Sequence, residues 1–218
     1  MLEKLDDPKF IRVSEPSADV VHAMENLLQP QNDLHIAEVG VGIGATTLAL
    51  LKWMDHKGKL DIFDFHASVN DLAGDLEKMG FSNFRKFGNT RRTYDGYAWN
   101  LALLAAEALK NGSDGIYDFV YLDGAHAYWQ DAPAACALKV LVKPSGYILF
   151  DDYDWTFAGS PSMNAKVMPH QVNHYTDEQM ETKQVRLVCE IFFDPDPNWE
   201  EVTLPESPHI RKLYRRKA

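Results

Sequence analysis

The chain has 218 residues, 45% hydrophobic and 25% charged, which is ordinary for a soluble globular protein and enough for one domain with a three-layer core. Its net charge of −10 argues against a general nucleic-acid binder, which needs a basic face. No apolar run approaches the roughly 20 residues that span a bilayer, so no membrane partner is expected.

The N-terminus, MLEKLDDPKF, lacks the apolar core of a secretion signal. The two cysteines, Cys136 and Cys189, fall in apolar segments expected to be buried and are too few for a disulfide framework, so a cytoplasmic setting is the simplest reading.

Residues 1–16 are polar and weakly patterned. Ser14-Glu15-Pro16-Ser17 reads as a helix start. ADVVHAMENLL then places Val20, Val21, Met24, Leu27 and Leu28 at helical spacing, and Pro30 helps stop it. This helix is expected to pack across one edge of a sheet, with His22 an ordinary surface residue. Leu34 to Ala45, LHIAEVGVGIGA, is an apolar strand running into a glycine turn, followed at once by the apolar helix ATTLALLKWM. Strand, glycine turn and helix form the front half of a nucleotide-binding βα unit, whose exposed N–H groups favour electron-rich ligand atoms. The motif reads two ways: as G-x-G-x-x-A (Gly40, Gly42, Ala45) it fits a dinucleotide, and as E-x-G-x-G-x-G from Glu38 it fits S-adenosylmethionine.

A second strand, KLDIFDF, ends near Asp64, about twenty residues past Gly44, the spacing of a carboxylate that binds ribose hydroxyls. Asp61 in the same strand is the weaker candidate, and His66 could sit near the pocket. Asn70 to Met79 reads as a helix capped by Gly80. Asn83 to Phe87 is a short third strand closed by Gly88-Asn89-Thr90, where Asn89 either meets an adenine edge through its amide or serves the turn. Arg91-Arg92 precedes a helix over Tyr94 to Lys110, and Asn111 to Gly115 is a loop. Tyr117 to Asp123, YDFVYLD, reads as a buried central strand. A helix over Asp131 to Val142 ends at Lys143-Pro144-Ser145-Gly146, and YILF makes a fifth strand ending in Asp151-Asp152-Tyr153-Asp154.

This alternation predicts an α/β fold, doubly wound around a mostly parallel sheet. From Trp155 to about Thr182 the pattern breaks, and residues 154–182 read as a substrate lid, since loops this long are usually functional. Val185 to Phe193, VRLVCEIFF, reads as a sixth strand, Asp194 to Pro208 as a turn-rich connection, and His209 to Arg215 as the last strand, with His209 carrying no chemistry. The late pair adds an antiparallel hairpin and completes a seven-stranded sheet. Residues 1–218 thus form a single domain with a helical N-terminal segment, 1–30. The basic cluster Arg211, Lys212, Arg215, Arg216 and Lys217 reads as a solvated last strand and tail, with an anionic substrate or partner as the alternative. The N-terminal helix and the hairpin offer surfaces for a homodimer.

In open parallel sheets, ligands sit at the carboxyl ends of the strands, which here carry Glu38, Asp64, Asp123, Asp151 and Asp152. The fourth and fifth strands are expected to be neighbours, so Asp123, Asp151 and Asp152 can converge. That set suits Mg²⁺ or a similar hard cation, or forms a solvated acidic rim. His126, three residues past Asp123, is placed either to take a proton near neutral pH or to fasten its loop. His170 and His174 have the i, i+4 spacing of a helical metal pair, but Pro169 argues against the helix.

Four of these pieces together resemble the class I S-adenosylmethionine-dependent methyltransferases, over about residues 34–153. They are Glu38 to Gly44 (EVGVGIG), Asp64, Tyr117 to Tyr128 (YDFVYLDGAHAY) and Lys143 to Tyr153 (KPSGYILFDDY). The D-G-x-H-x-Y element followed by P-x-G-x-I-x-x-D-D-Y resembles metal-dependent small-molecule O-methyltransferases, of the catechol type and of the sugar type of macrolide pathways. The resemblance implies a Rossmann-like methyltransferase fold. It would set Gly40, Gly42 and Gly44 against the methionyl part of the cofactor, Glu38 at that loop or its ammonium, Asp64 on the ribose and Asn89 on the adenine. Asp123 would border the cofactor and, with Asp151 and Asp152, hold a divalent metal such as Mg²⁺ that chelates the acceptor hydroxyl. Asp123 and His126 would be catalytic.

The chain departs from that pattern at Asn89, where aspartate is common, and at Ser145, where a second glycine is common. Asp152 stands where the catechol type more often has asparagine, which tilts the resemblance toward the sugar type. The implied activity is O-methylation of a small hydroxylated metabolite. Metal-independent N- or C-methylation, an NAD(P)-dependent oxidoreductase and a non-catalytic S-adenosylmethionine-binding protein are the alternatives. The oxidoreductase predicts neither the D-G-x-H nor the D-D-Y element.

Overall fold

The computed structural model describes residues 1–205 and 211–218; the expected strand start at His209 lies outside them. Two short 3-10 turns (Leu2–Asp6 and Pro8–Val13) lead into α1 (Ala18–Asn26). Strands and helices then alternate: β1 (His35–Val39), α2 (Ala45–Met54), β2 (Lys59–Phe65), α3 (His66–Lys78), β3 (Phe84–Asn89), α4 (Tyr97–Lys110), β4 (Tyr117–Leu122), α5 (Tyr128–Leu141) and β5 (Val142–Phe150). Beyond the irregular segment come α6 (Asp177–Glu181), α7 (Gln184–Phe192), β6 (Trp199–Val202) and β7 (Lys212–Arg216).

The seven strands form one sheet in the order β3-β2-β1-β4-β5-β7-β6. Strands β1 to β5 are parallel, and β7 runs antiparallel between β5 and β6. This is the expected doubly wound sheet with its late hairpin. One face packs Leu101 of α4, Leu138 of α5 and Val188 of α7; the other packs Val20 of α1, Leu50 of α2 and Leu72 of α3. Covered on both sides, β1 and β4 are buried along almost their whole length, which is why they read as near-continuous apolar runs.

Three expectations are corrected. VRLVCEIFF is helix α7, not a strand: Gln184, Val185, Val188 and Cys189 are buried, an i, i+3, i+4 rhythm on one face. The sixth strand is Trp199–Val202, inside the stretch read as a connection. Lys143 to Gly146 lies within β5, where Ser145 takes a positive φ of 65° and the register against β4 shifts. In addition, α1 packs against α2 and buries Val20 in the core on that face of the sheet, and Cys136 is exposed while Cys189 is buried. The segment after Asp154 gathers a small core of its own, in which Phe157 and Met180 pack on Ala127 with Trp155 and Tyr175 around them.

Candidate functional site

The strand order reverses between β1 and β4, and such a switch point opens a crevice beyond the carboxyl ends of the strands. Backbone bonds fix its floor: Gly40 N–H donates to the Phe63 carbonyl at 2.8 Å, and Asp123 N–H donates to the Val39 carbonyl at 2.8 Å. Gly40 has φ +87°, and a Cβ there would lie 1.8 Å from the Asp123 carbonyl oxygen, so only glycine lets the two strand ends approach this closely. At Gly42 an added Cβ would meet nothing within 4 Å: the loop faces open space. Gly44 faces Leu72 instead and serves helix packing.

Asp64 sits at the tip of β2. Its Oδ2 accepts from the Val41 N–H at 3.0 Å and its Oδ1 from the Phe65 N–H at 2.5 Å. It thereby braces the glycine loop and faces a cavity of about 320 Å³ that is also lined by Gly40, Gly42, Phe65, Asn89 and Asp123. Asn89 is buried in that wall, its Nδ2 donating to the Thr90 carbonyl at 3.3 Å. Asp61 is not in this wall. It lies fully buried, accepting from His35 at 2.9 Å, Arg85 Nε at 2.8 Å and Tyr117 hydroxyl at 2.8 Å, and so ties four strands together. His66 begins α3 and packs on Gly88 rather than lining the cavity.

A second cavity, about 340 Å³, shares Gly40, Gly42 and Asp123 with the first and continues past Glu38 to His126, Asp151, Asp152 and Arg211. The two are halves of one trough. Glu38 is 1% exposed and accepts from the Thr47 hydroxyl at 2.6 Å; burial pushes its carboxyl up to about 8.

At the far end of the trough, His126 Nε2 lies 3.7 Å from Asp123 Oδ1 and 3.4 Å from Asp152 Oδ2. One ligand atom from each of Asp123, His126 and Asp152 falls within 4.8 Å of the others. His126 and Asp152 both have left-handed backbones, φ +54° and +53°, a conformation costing about 1 kcal/mol or more for a non-glycine residue. Burial first, then the nearby charges of Asp151 and Asp152, raise the Asp123 carboxyl well above the ordinary carboxylate range. Trp155 covers His126, ring centres 5.2 Å apart.

Asp151 faces the other way. Arg211 Nε lies 2.7 Å from its Oδ1, and Arg211 Nη2 donates to its Oδ2 at 3.1 Å. Tyr121 hydroxyl donates to the same carboxylate and to Asp123 at 3.2 Å. The other arm of Arg211 reaches Asp19 of α1 at 2.9 Å, and its side chain is 8% exposed. Of the other tail cations, Lys212 and Arg216 are half-buried and pair with Glu201 and Asp114, while Lys217 donates to the Pro197 carbonyl.

The structure therefore brings Asp123, His126 and Asp152 to one point, with Asp151 beside them engaged by Arg211. The three donors together fit a divalent cation, with an imidazole nitrogen in the set.

Two further residues hold this loop. Tyr97 hydroxyl donates to Asp131 and accepts from the Ala125 N–H at 3.0 Å, while a Cβ on Gly124 would lie 2.6 Å from the Tyr97 ring. Burial pushes Asp131 up to about 6. Apolar periodicity placed neither residue, because both sit on helices whose buried faces look ordinary. His22 is a helix-surface residue within 3.1 Å of Asn26 Nδ2. His170 and His174 lie on and just after the 3-10 turn Pro169–Asn173, ring centres 6.0 Å apart and edge to face, away from the carboxylates.

Among known families, one described as a methyltransferase domain matches residues 37–153. No curated protein matches the chain. Solved structures share its fold. A Staphylococcus aureus protein assigned as a caffeoyl-CoA O-methyltransferase is 15% identical with a TM-score of 0.61, covering 99% of this chain and 91% of its own. The O-methyltransferase TomG from Streptomyces achromogenes, solved with S-adenosylmethionine, is 14% identical with a TM-score of 0.60, covering 100% of this chain and 89% of its own. The Podospora anserina methyltransferase PaMTH1, solved with S-adenosylhomocysteine, is 17% identical with a TM-score of 0.61, covering 100% of this chain and 86% of its own.

Proposed function

The chain belongs to the methyltransferase-domain family, and on that premise we propose that it moves the methyl group of S-adenosylmethionine to an oxygen of a small hydroxylated metabolite. The observation that supports oxygen as the acceptor is the convergence of Asp123, His126 and Asp152 at one end of the trough, two of them on strained backbone. The glycine loop and Glu38 take the methionyl part, Asp64 the ribose and Asn89 the adenine. A sulfonium methyl is already activated, so holding donor and acceptor in line supplies most of the rate. His126 takes the hydroxyl proton, and Asp123 and Asp152 balance the imidazolium that results.

The same three side chains would hold a divalent cation, which when bound lowers the pKa of an acceptor hydroxyl. Asp151, fastened to Arg211, contributes charge from the side. Asp152 favours the sugar-type branch over the catechol type.

The test is a screen of hydroxylated metabolites with methyl-labelled cofactor, with and without EDTA. Label on oxygen that survives EDTA supports proton transfer to His126; label lost with EDTA and restored by Mg²⁺ supports the cation. Asp123→Ala should abolish turnover and leave S-adenosylhomocysteine binding nearly intact; an equal loss of cofactor affinity would overturn its assignment. Thermal stabilisation by NAD but not by S-adenosylhomocysteine would overturn the whole reading.

A further inference from the structure

The largest cavity described, about 660 Å³, lies outside the trough. It opens between the loop that follows β3, the start of α5 and the 3-10 turn Pro169–Asn173. None of Glu38, Asp123, His126 or Asp152 lines it; Phe65 and Gln130 form a wall it shares with the adenosyl half of the trough.

Its charge is unlike that of the rest of the molecule. In a chain of net charge −10, two guanidiniums, Arg91 and Arg92, and two imidazoles, His170 and His174, face this space. Among the described residues neither guanidinium has an ion-pair partner within 4.0 Å. The one carboxylate in the wall, Asp95, accepts from the Thr90 N–H at 2.7 Å and hydroxyl at 2.6 Å; those bonds first, and then the nearby charge of Arg92, hold it below the usual carboxylate range.

The remaining lining mixes threonine and glutamine side chains with four aromatic rings. Tyr94 is 93% exposed and Trp129 49%. Trp129 Nε1 donates to the Tyr175 hydroxyl at 3.1 Å, which fixes the indole on one side of the cavity. Arg91 stacks over Phe65, 4.8 Å from the ring centre.

Exposed rings beside two guanidiniums, of which among the described residues only Arg92 feels a nearby carboxylate, match a ligand with both a flat π-face and a doubly charged oxyanion. The rings stack on the first, and the planar forks bind the second bidentately. The volume is within the range of about 300–1,000 Å³ typical of small-molecule sites. We propose that this cavity is a second binding site, for a phosphorylated aromatic group of nucleoside monophosphate size, seated next to the adenosyl end of the trough and away from the methyl-transfer end.

The probe is adenosine 5′-monophosphate, titrated calorimetrically into protein already saturated with S-adenosylhomocysteine so that the adenosyl cavity is filled. S-adenosylhomocysteine binding is measured first, so that a failure of the cofactor reading is seen separately. The monophosphate should bind about tenfold more tightly than adenosine or inorganic phosphate alone, and Arg91→Ala/Arg92→Ala should weaken it about tenfold or more, the effect of losing charge-assisted hydrogen bonds. Trp129→Ala should weaken it by a smaller factor through lost stacking. An unchanged thermal unfolding midpoint in the loop variants shows that the fold is intact. No binding of the monophosphate in the presence of S-adenosylhomocysteine, or equal binding by wild type and the double arginine variant, overturns the proposal.

Discussion

The end of the trough that faces Asp64 and Asn89 is made by backbone shape, while the end that faces His126 is made by side chains drawn from far apart. In the first, glycines, strand tips and main-chain N–H groups define the space, and its residues come from one run of the chain, 40 to 130. In the second, His126 and Asp152 are held on left-handed backbone, Trp155 covers His126, and Arg211 reaches in from just before the last strand. A backbone site breaks when the chain is forced aside. A side-chain site loses its chemistry while its frame survives. The proposed roles follow that division, a common donor at one end and a particular acceptor at the other.

The comparison breaks most sharply at Gly40. A Cβ there collides with the Asp123 carbonyl, so Gly40→Ala should cost about 4 kcal/mol or more, the extreme of single substitutions. It should abolish S-adenosylhomocysteine binding along with activity, read by chemical denaturation and calorimetry. Arg211→Ala should come next. It strands Asp19 and Asp151, each nearly buried, at a cost of about 3 kcal/mol, and adding Asp19→Asn and Asp151→Asn should recover most of it. A stable Arg211→Ala protein would mean that the second region does not depend on its distant partner.

His126→Ala sharpens the comparison. Turnover should fall about a hundredfold, the low end for loss of a general base. Cofactor affinity should be unchanged and stability little altered, because alanine keeps the Cβ that strains the left-handed backbone.

The smallest effect is on pH. With Glu38 pushed up to about 8, it is about nine-tenths protonated at pH 7 in the empty trough. An ammonium bound beside it should release that proton. Affinity for S-adenosylhomocysteine should therefore rise with pH and level off above about 8. Calorimetry in two buffers of different ionisation heat measures the release, and none at pH 7 would remove Glu38 from the ammonium. The linkage for the fold has the opposite slope. A carboxyl raised from 4.5 to about 8 favours the folded state most below 4.5 and loses that contribution as pH rises toward 8.

The backbone region was largely legible in the sequence because its signals are local. A glycine turn after an apolar strand, and an acid about twenty residues on, need no knowledge of the rest of the chain. Asp61 and Asp64 share a strand, and position along it separates an internal ion-pair hub from a strand-tip residue. The side-chain region was legible in its residue types, D-G-x-H and D-D-Y, but not in its partners. Arg211 sits in a charge run that reads as solvated, and its contacts are 60 and 192 positions away. VRLVCEIFF misled because a short run of branched apolar residues suits a strand or one buried helix face equally. Trp199–Val202 went unseen because four residues with two exposed glutamates leave no period to read.

The reach of Arg211 has a consequence in time. During synthesis the glycine loop, Asp64, His126 and both strand-end aspartates emerge long before residue 211. Until that guanidinium arrives, Asp151 and Asp19 have no cation to share. A chain cut before residue 211 would display the family's whole motif set around an unbalanced pair of acids, and would open more readily to proteolysis than one that includes it. Arg211, set just before β7, thus acts as a seal on a site whose signature lies entirely upstream of it.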